Sequence, residues 1–124
     1  MSSSYGDALR LFNKAIDELA KVIRDHSSVN KRIKVSLASA LKGLLLLYGL
    51  GYISSDDITY LASLALDNNI LDSNLFAEVA YLNVKLLSRE KVDPNEASEI
   101  LNKILDKAVK KDQYLNKQMK LFRY

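Results

Sequence analysis

"AYLNVKLLSREKVDPNEASEIL", residues 80–101, decides the fold. It reads as the end of one helix, a short turn and the start of the next. Asp93 stands at a cap position, Pro94 at the first helical position and Glu96 three residues after the cap, the clearest helix-start signal in the chain. The helix that follows carries Ala97, Ile100/Leu101, Ile104/Leu105 and Ala108/Val109, the spacing of one apolar stripe on a 3.6-residue helix. The helix that precedes it starts at Asp72 or Ser73 and runs to about residue 88.

Three more helices are expected upstream. Residues 5–25 repeat apolar groups at Ala8, Leu11/Phe12, Ala15/Ile16, Leu19 and Val22/Ile23, with Ser4 or Asp7 as cap. A second helix over about 29–48 has Ile33, Leu37, Leu41, Leu44 and Tyr48 on one side and turns apolar nearly all round at Leu44–Leu47, so it is predicted to be the most buried element. Gly49 and Gly51 supply the positive φ that ends it. "SSDDI" offers a serine cap and aspartates in the first turn of a third helix over about 56–67, which Asn68-Asn69 closes. No stretch alternates with period two. The expected fold class is all-α, a single-domain, largely antiparallel bundle of about five helices over residues 1–112, followed by a basic aromatic tail over 113–124 that is docked or flexible.

Composition narrows the function classes. At 124 residues, with nearly half apolar and about a quarter charged, the chain builds one core. It contains no cysteine and a single histidine, His26, which excludes disulfides, thiolate metal sites, a cysteine nucleophile and any two-histidine metal site within one chain. His26 sits among Asp25, Ser27 and Ser28 without a nucleophile or orienting partner nearby in sequence, and is given no role. No cofactor is expected. "MSSSYGDALRLFNK" has no secretory pattern and "GLLLLYGLGYI" is too short to span a bilayer, so a cytoplasmic location without membrane contact is expected. The paired acids Asp56-Asp57 and Glu96/Glu99 read as first-turn residues that complement helix dipoles.

The helix ending in "AYLNVKLL" is apolar over too wide an arc for one buried face. At 100° per residue, Leu75, Val79, Leu82 and Leu86 form the core stripe, while Phe76, Ala80, Asn83, Val84 and Leu87 fill the next sector, about 200° in all. Either two other helices cover it, from a central place in the bundle, or a second subunit does. On the subunit reading Phe76, Ala80, Asn83 and Leu87 form the protein interface, with Asn83 as a polar group that fixes its register.

The segment from "LASLALDNNILD" through "LNVKLLSREKVDPNEASEIL" resembles the HepT branch of the HEPN superfamily, helical partners of minimal nucleotidyltransferases. The hallmark of that family is Arg-Asn, a few apolar residues, His, one residue and Tyr, then a short link, often Val-Asp, into the next helix. On this frame the Arg falls on Leu82, the Asn on Asn83, the His on Leu87 and the Tyr on Arg89, while Val92-Asp93-Pro94 fits the link. "SLASALKGLLLLYGLGY" fits the preceding hairpin helix loosely. Active HEPN proteins cleave RNA with the Arg and His of two protomers at a symmetric interface; here both positions are leucine. The resemblance therefore implies a catalytically silent homodimer that binds a protein partner such as a nucleotidyltransferase. Because Arg89 replaces the tyrosine that such a partner modifies, that regulation is not carried over.

Charge suggests a second reading. Residues 1–112 carry 15 basic and 15 acidic groups, so Lys117, Lys120 and Arg123 supply the entire net charge of +3. These three alternate with aromatic and apolar groups in "YLNKQMKLFRY", and "NKRIK" places Lys31, Arg32 and Lys34 near the start of the second helix. An ordinary solvated face explains the second cluster. If both touched phosphate, the chain would be a small helical subunit of an RNA- or DNA-handling complex. A ribonuclease with catalytic groups elsewhere is a third reading, set back by the missing Arg/His pair.

Overall fold

The computed structural model describes residues 3–25 and 28–119. Within them lie α1 (Ser3–Arg24), α2 (Val29–Leu47), α3 (Ile58–Asp67), α4 (Ser73–Leu87), α5 (Pro94–Lys111) and the one-turn α6 (Leu115–Gln118); none of these residues forms a strand. The all-α bundle of five principal helices is the architecture expected from the sequence.

Central position falls to α2, which packs against α1, α3, α4 and α5. Every residue from Ser36 to Leu46 is buried, because this part of the helix is mostly Leu, Ala and Gly and four other helices pack around it. Against α1 it runs antiparallel: Arg32 meets Glu18, Ser36 Oγ donates to the Ala15 carbonyl at 2.7 Å, and Gly43 faces Phe12 and Ala8. Gly43 is the point of closest approach. A Cβ there would lie 2.8 Å from the Phe12 ring and 3.2 Å from the Ala8 carbonyl oxygen, so the missing side chain lets a fully buried aromatic ring fill the seam.

α4 and α5 are also antiparallel. Three ion pairs join them in opposite residue order: Asp72 to Lys107 at 3.1 Å, Glu78 to Lys103 at 2.9 Å and Lys85 to Glu96 at 3.1 Å. Beyond α5 the chain folds back, and Leu115 and Met119 are buried with the core. Lys120 and Arg123 lie outside the described residues, as does His26.

Most helix ends follow the expected chemistry. Asp72 accepts the Leu75 amide at 2.8 Å and Asp93 the Asn95 amide at 2.9 Å. Gly49, Gly51 and Asn69 take φ of 85°, 83° and 60°. Three expectations are corrected. α3 begins at Ile58 and its cap is Asp57, which accepts the amides of Thr59 and Tyr60, whereas Ser55 Oγ accepts the Asp57 amide and Asp56 stays outside the helix. Asp7 lies inside α1 and pairs with Arg10 instead of capping. Glu99 falls beyond the first turn of α5, and the Glu96 carboxylate is engaged by Lys85.

Candidate interaction surface

The wide apolar arc of α4 divides in three. Leu75, Val79 and Leu82 are buried in the core, as the stripe predicts. On the flank toward α3, Phe76 packs half-buried against the core and Asn83 turns inward, its Nδ2 donating to Thr59 Oγ1 at 2.8 Å. Asn83 is thus a buried amide with a partner in its own chain. On the opposite flank the ion pairs to α5 seal the edge, and Lys85 Nζ also sits 4.7 Å from the centre of the Tyr81 ring.

What is left faces outward. At 100° per residue Leu87, Ala80, Val84, Ala77, Ser88 and Tyr81 follow one another round the helix over about 120°, and no charged residue interrupts them. Leu87 is 71% exposed, Tyr81 63% and Val84 57%. Tyr60 on α3, next to the threonine that holds Asn83, is 47% exposed. Of the residues expected to form an interface, the fold brings Ala80 and Leu87 together on this face and places Phe76 and Asn83 on its inner margin. Val84, Ala77 and Tyr81 join them. Val84 is visible in the sequence as part of the same sector, whereas Tyr81 falls, at 100° per residue, on the side of the helix that also carries Glu78 and Lys85.

At the positions that the HEPN-type frame equates with the Arg and His, Leu82 is fully buried and Leu87 exposed. They point to different sides of α4. Arg89 has left the helix altogether with φ 61°, and the Glu90 amide donates back to the Lys85 carbonyl in a helix-closing bond.

Among the described residues the basic side chains do not form one patch. Arg32 is held against Glu18 at 3.2 Å, and Lys117 lies on α6, near the end of α2 marked by Tyr48, where Lys111 Nζ stands 4.9 Å from the tyrosine ring. Lys31 is some 17 residues earlier along α2, about 25 Å away at 1.5 Å per residue. Lys31 and Lys34 instead share a cavity with Lys14 of α1 and Lys42 of α2. Sequence reading missed Lys14 and Lys42, which sit singly in apolar surroundings and come together only when α1 packs on α2.

Among the described residues no grouping of His, Asp or Glu side chains suits a metal ion, and no helix is long and apolar enough to cross a membrane. Comparison of the chain with protein families, with curated proteins and with solved structures finds no significant match.

Proposed function

We propose that this chain is a non-catalytic helical interaction protein that pairs with a second copy of itself through the outer face of α4. The observation that carries the reading is the uncharged sector from Leu87 through Val84 to Tyr81, left open after α3 and α5 have covered the rest of the helix. A face with no charge has nothing to repel its own image across a two-fold axis, so self-contact is the simplest way to cover it. Small residues at Ala77 and Ala80 allow close approach of the two helices, while burying Leu87 contributes roughly 1.5–3 kcal/mol from each copy. A minimal nucleotidyltransferase as a further partner is supported by the HepT resemblance alone. A nucleic-acid role draws less support, since among the described residues Lys31 and Lys34 stand apart from Lys117 and Arg32 is held in an ion pair.

Sedimentation equilibrium over a wide micromolar range tests the reading. A dimer that Leu87→Glu and Val84→Glu convert to a monomer of unchanged helicity is the expected result. A wild-type chain that stays monomeric throughout that range would remove the proposal. Mass spectrometry of what co-purifies with a tagged chain, with and without nuclease, tests the partner: a nuclease-resistant nucleotidyltransferase supports it, and nuclease-sensitive recovery of RNA- or DNA-processing proteins favours the nucleic-acid reading instead.

A further inference from the structure

A groove runs between α1, α2 and the loop leading to α3, on residues that play no part in the α4 face. One part of it is a cavity of about 360 Å³ walled by Lys14, Lys31, Lys34 and Lys42. A second part, about 440 Å³, is lined by Leu11, Leu46 and the salt-bridged Asp7 and Arg10. The two share Leu11, Lys14 and Tyr52, so the Tyr52 ring, 67% exposed, stands between a cationic half and a more apolar half. Volumes of this size suit a small organic molecule.

Lys42 is the unusual member. It stands within the buried run of α2 with only 8% of its surface exposed, although burying an ammonium ion is costly without a compensating charge. Its Nζ donates to Asp56 Oδ1 at 2.5 Å and lies 5.6 Å from the centre of the Tyr52 ring. Asp56 is mostly exposed, on the loop before α3, and is the one carboxylate among the residues that line this cavity, against four lysines. That carboxyl is held below its usual range, first by the hydrogen bond from Lys42 and then by the fields of Lys42, Lys34 and Lys14, although burial acts the other way. An anion at this point is stabilised by Lys42, Lys34 and Lys14 together.

We infer that the groove is a binding site for a small organic phosphate, the phosphoryl group among Lys14, Lys34 and Lys42 and a ring or other apolar portion against Tyr52 and Leu46. A phosphoryl group brings the two negative charges that a single carboxylate does not, and ammonium groups recognise it as point charges without needing a planar fork. Asp56 holds the place of the anion when the site is unfilled and is displaced when the ligand enters. An extended nucleic-acid backbone fits less well, because Lys42 sits at the back of a cavity and not on an open stripe.

The test uses the full chain with ADP and inorganic pyrophosphate as probes, followed by amide NMR titration. ADP is expected to shift the resonances of Lys14, Lys42 and Tyr52 and to saturate at millimolar concentration or below. Lys14→Glu and Lys34→Glu, both on exposed positions, should weaken it by about tenfold or more, whereas Lys103→Glu on the α4–α5 seam should leave it unchanged. Asp56→Asn should bind several-fold more tightly, since it removes the competing anion, a gain that a purely structural Asp56 would not produce. Silence of both probes at about 5 mM, or shifts indifferent to Lys34→Glu, would overturn the site. Pyrophosphate binding as tightly as ADP would overturn the role of Tyr52 and Leu46, and binding of a single-stranded RNA octamer with ADP inert would replace the small ligand by a nucleic-acid contact.

Discussion

α2 and α4 look alike in sequence and end up in opposite circumstances. Both are apolar well beyond one stripe, yet α2 is buried without interruption from Ser36 to Leu46, whereas α4 leaves Leu87, Val84 and Tyr81 in the open. The difference is in the neighbours. α1, α3, α4 and α5 surround α2, while α4 has its main contacts with α3 and α5 and keeps its far side free. A broad apolar arc thus states how much surface a helix asks to bury, and only the packing of the other helices shows whether the chain itself can bury it.

The largest expected effect lies on the α2 side of this contrast. Phe12→Ala empties the space beneath Gly43 that the ring fills completely, and should cost about 3–5 kcal/mol in denaturant unfolding. A loss below about 1 kcal/mol would show that the α1–α2 seam closes up around the gap. Next comes a direct comparison within α4. Leu82→Ala, in the core, should cost about 2–5 kcal/mol, but Leu87→Ala only about 0.5 kcal/mol or less when measured on the dissociated chain. Equal costs would mean that α4 has no free face.

Much of this was legible beforehand. The caps Asp72 and Asp93, the glycine exit at Gly49 and Gly51 and the core stripe of α4 depend on residues near one another in sequence, and these came out as expected. α3 was misjudged by two residues because Ser54, Ser55, Asp56 and Asp57 are all competent caps, and Asp56 is engaged by Lys42 of α2 while Asp57 caps the helix. The same limit applies to the surfaces. Asn83 looked like a polar mark in a subunit seam until Thr59, 24 residues away, proved to be its partner. Lys14 and Lys42 are 28 positions apart, on different helices, and nothing local to either announces a shared cavity. Gly43 gave no signal, since glycine inside a helix reads as a weakness until the ring it admits is seen.

That long-range amide offers a smaller, sharper test of how α4 divides. Thr59→Val keeps the shape of the side chain but removes the oxygen to which Asn83 donates, and leaving a buried donor unsatisfied costs about 1–3 kcal/mol. If Asn83 instead served a partner subunit, the loss would appear in the dimer's dissociation constant and not in the unfolding of the single chain. Urea titration at two protein concentrations separates these outcomes.

The smallest effect concerns the start of α4, where the helix first meets α5. The Asp72 carboxyl is pushed below its usual range, chiefly by the hydrogen bond from the Leu75 amide and then by Lys107. A carboxyl whose folded value is depressed stabilises the native state above its unfolded value, near 4, and loses that contribution as pH falls through the folded value. Acid should therefore loosen the first turn of α4 before the buried α1–α2 seam responds. Asp72→Asn retains an acceptor for the Leu75 amide and gives up the charge toward Lys107, so it should lose less stability than Asp72→Ala at neutral pH and flatten the acid response. Amide exchange at Leu75 followed from pH 6 to pH 3, about the range in which carboxylates titrate, reads this directly: unchanged pH dependence in Asp72→Asn would show that the acid sensitivity of α4 does not come from the Asp72 carboxyl.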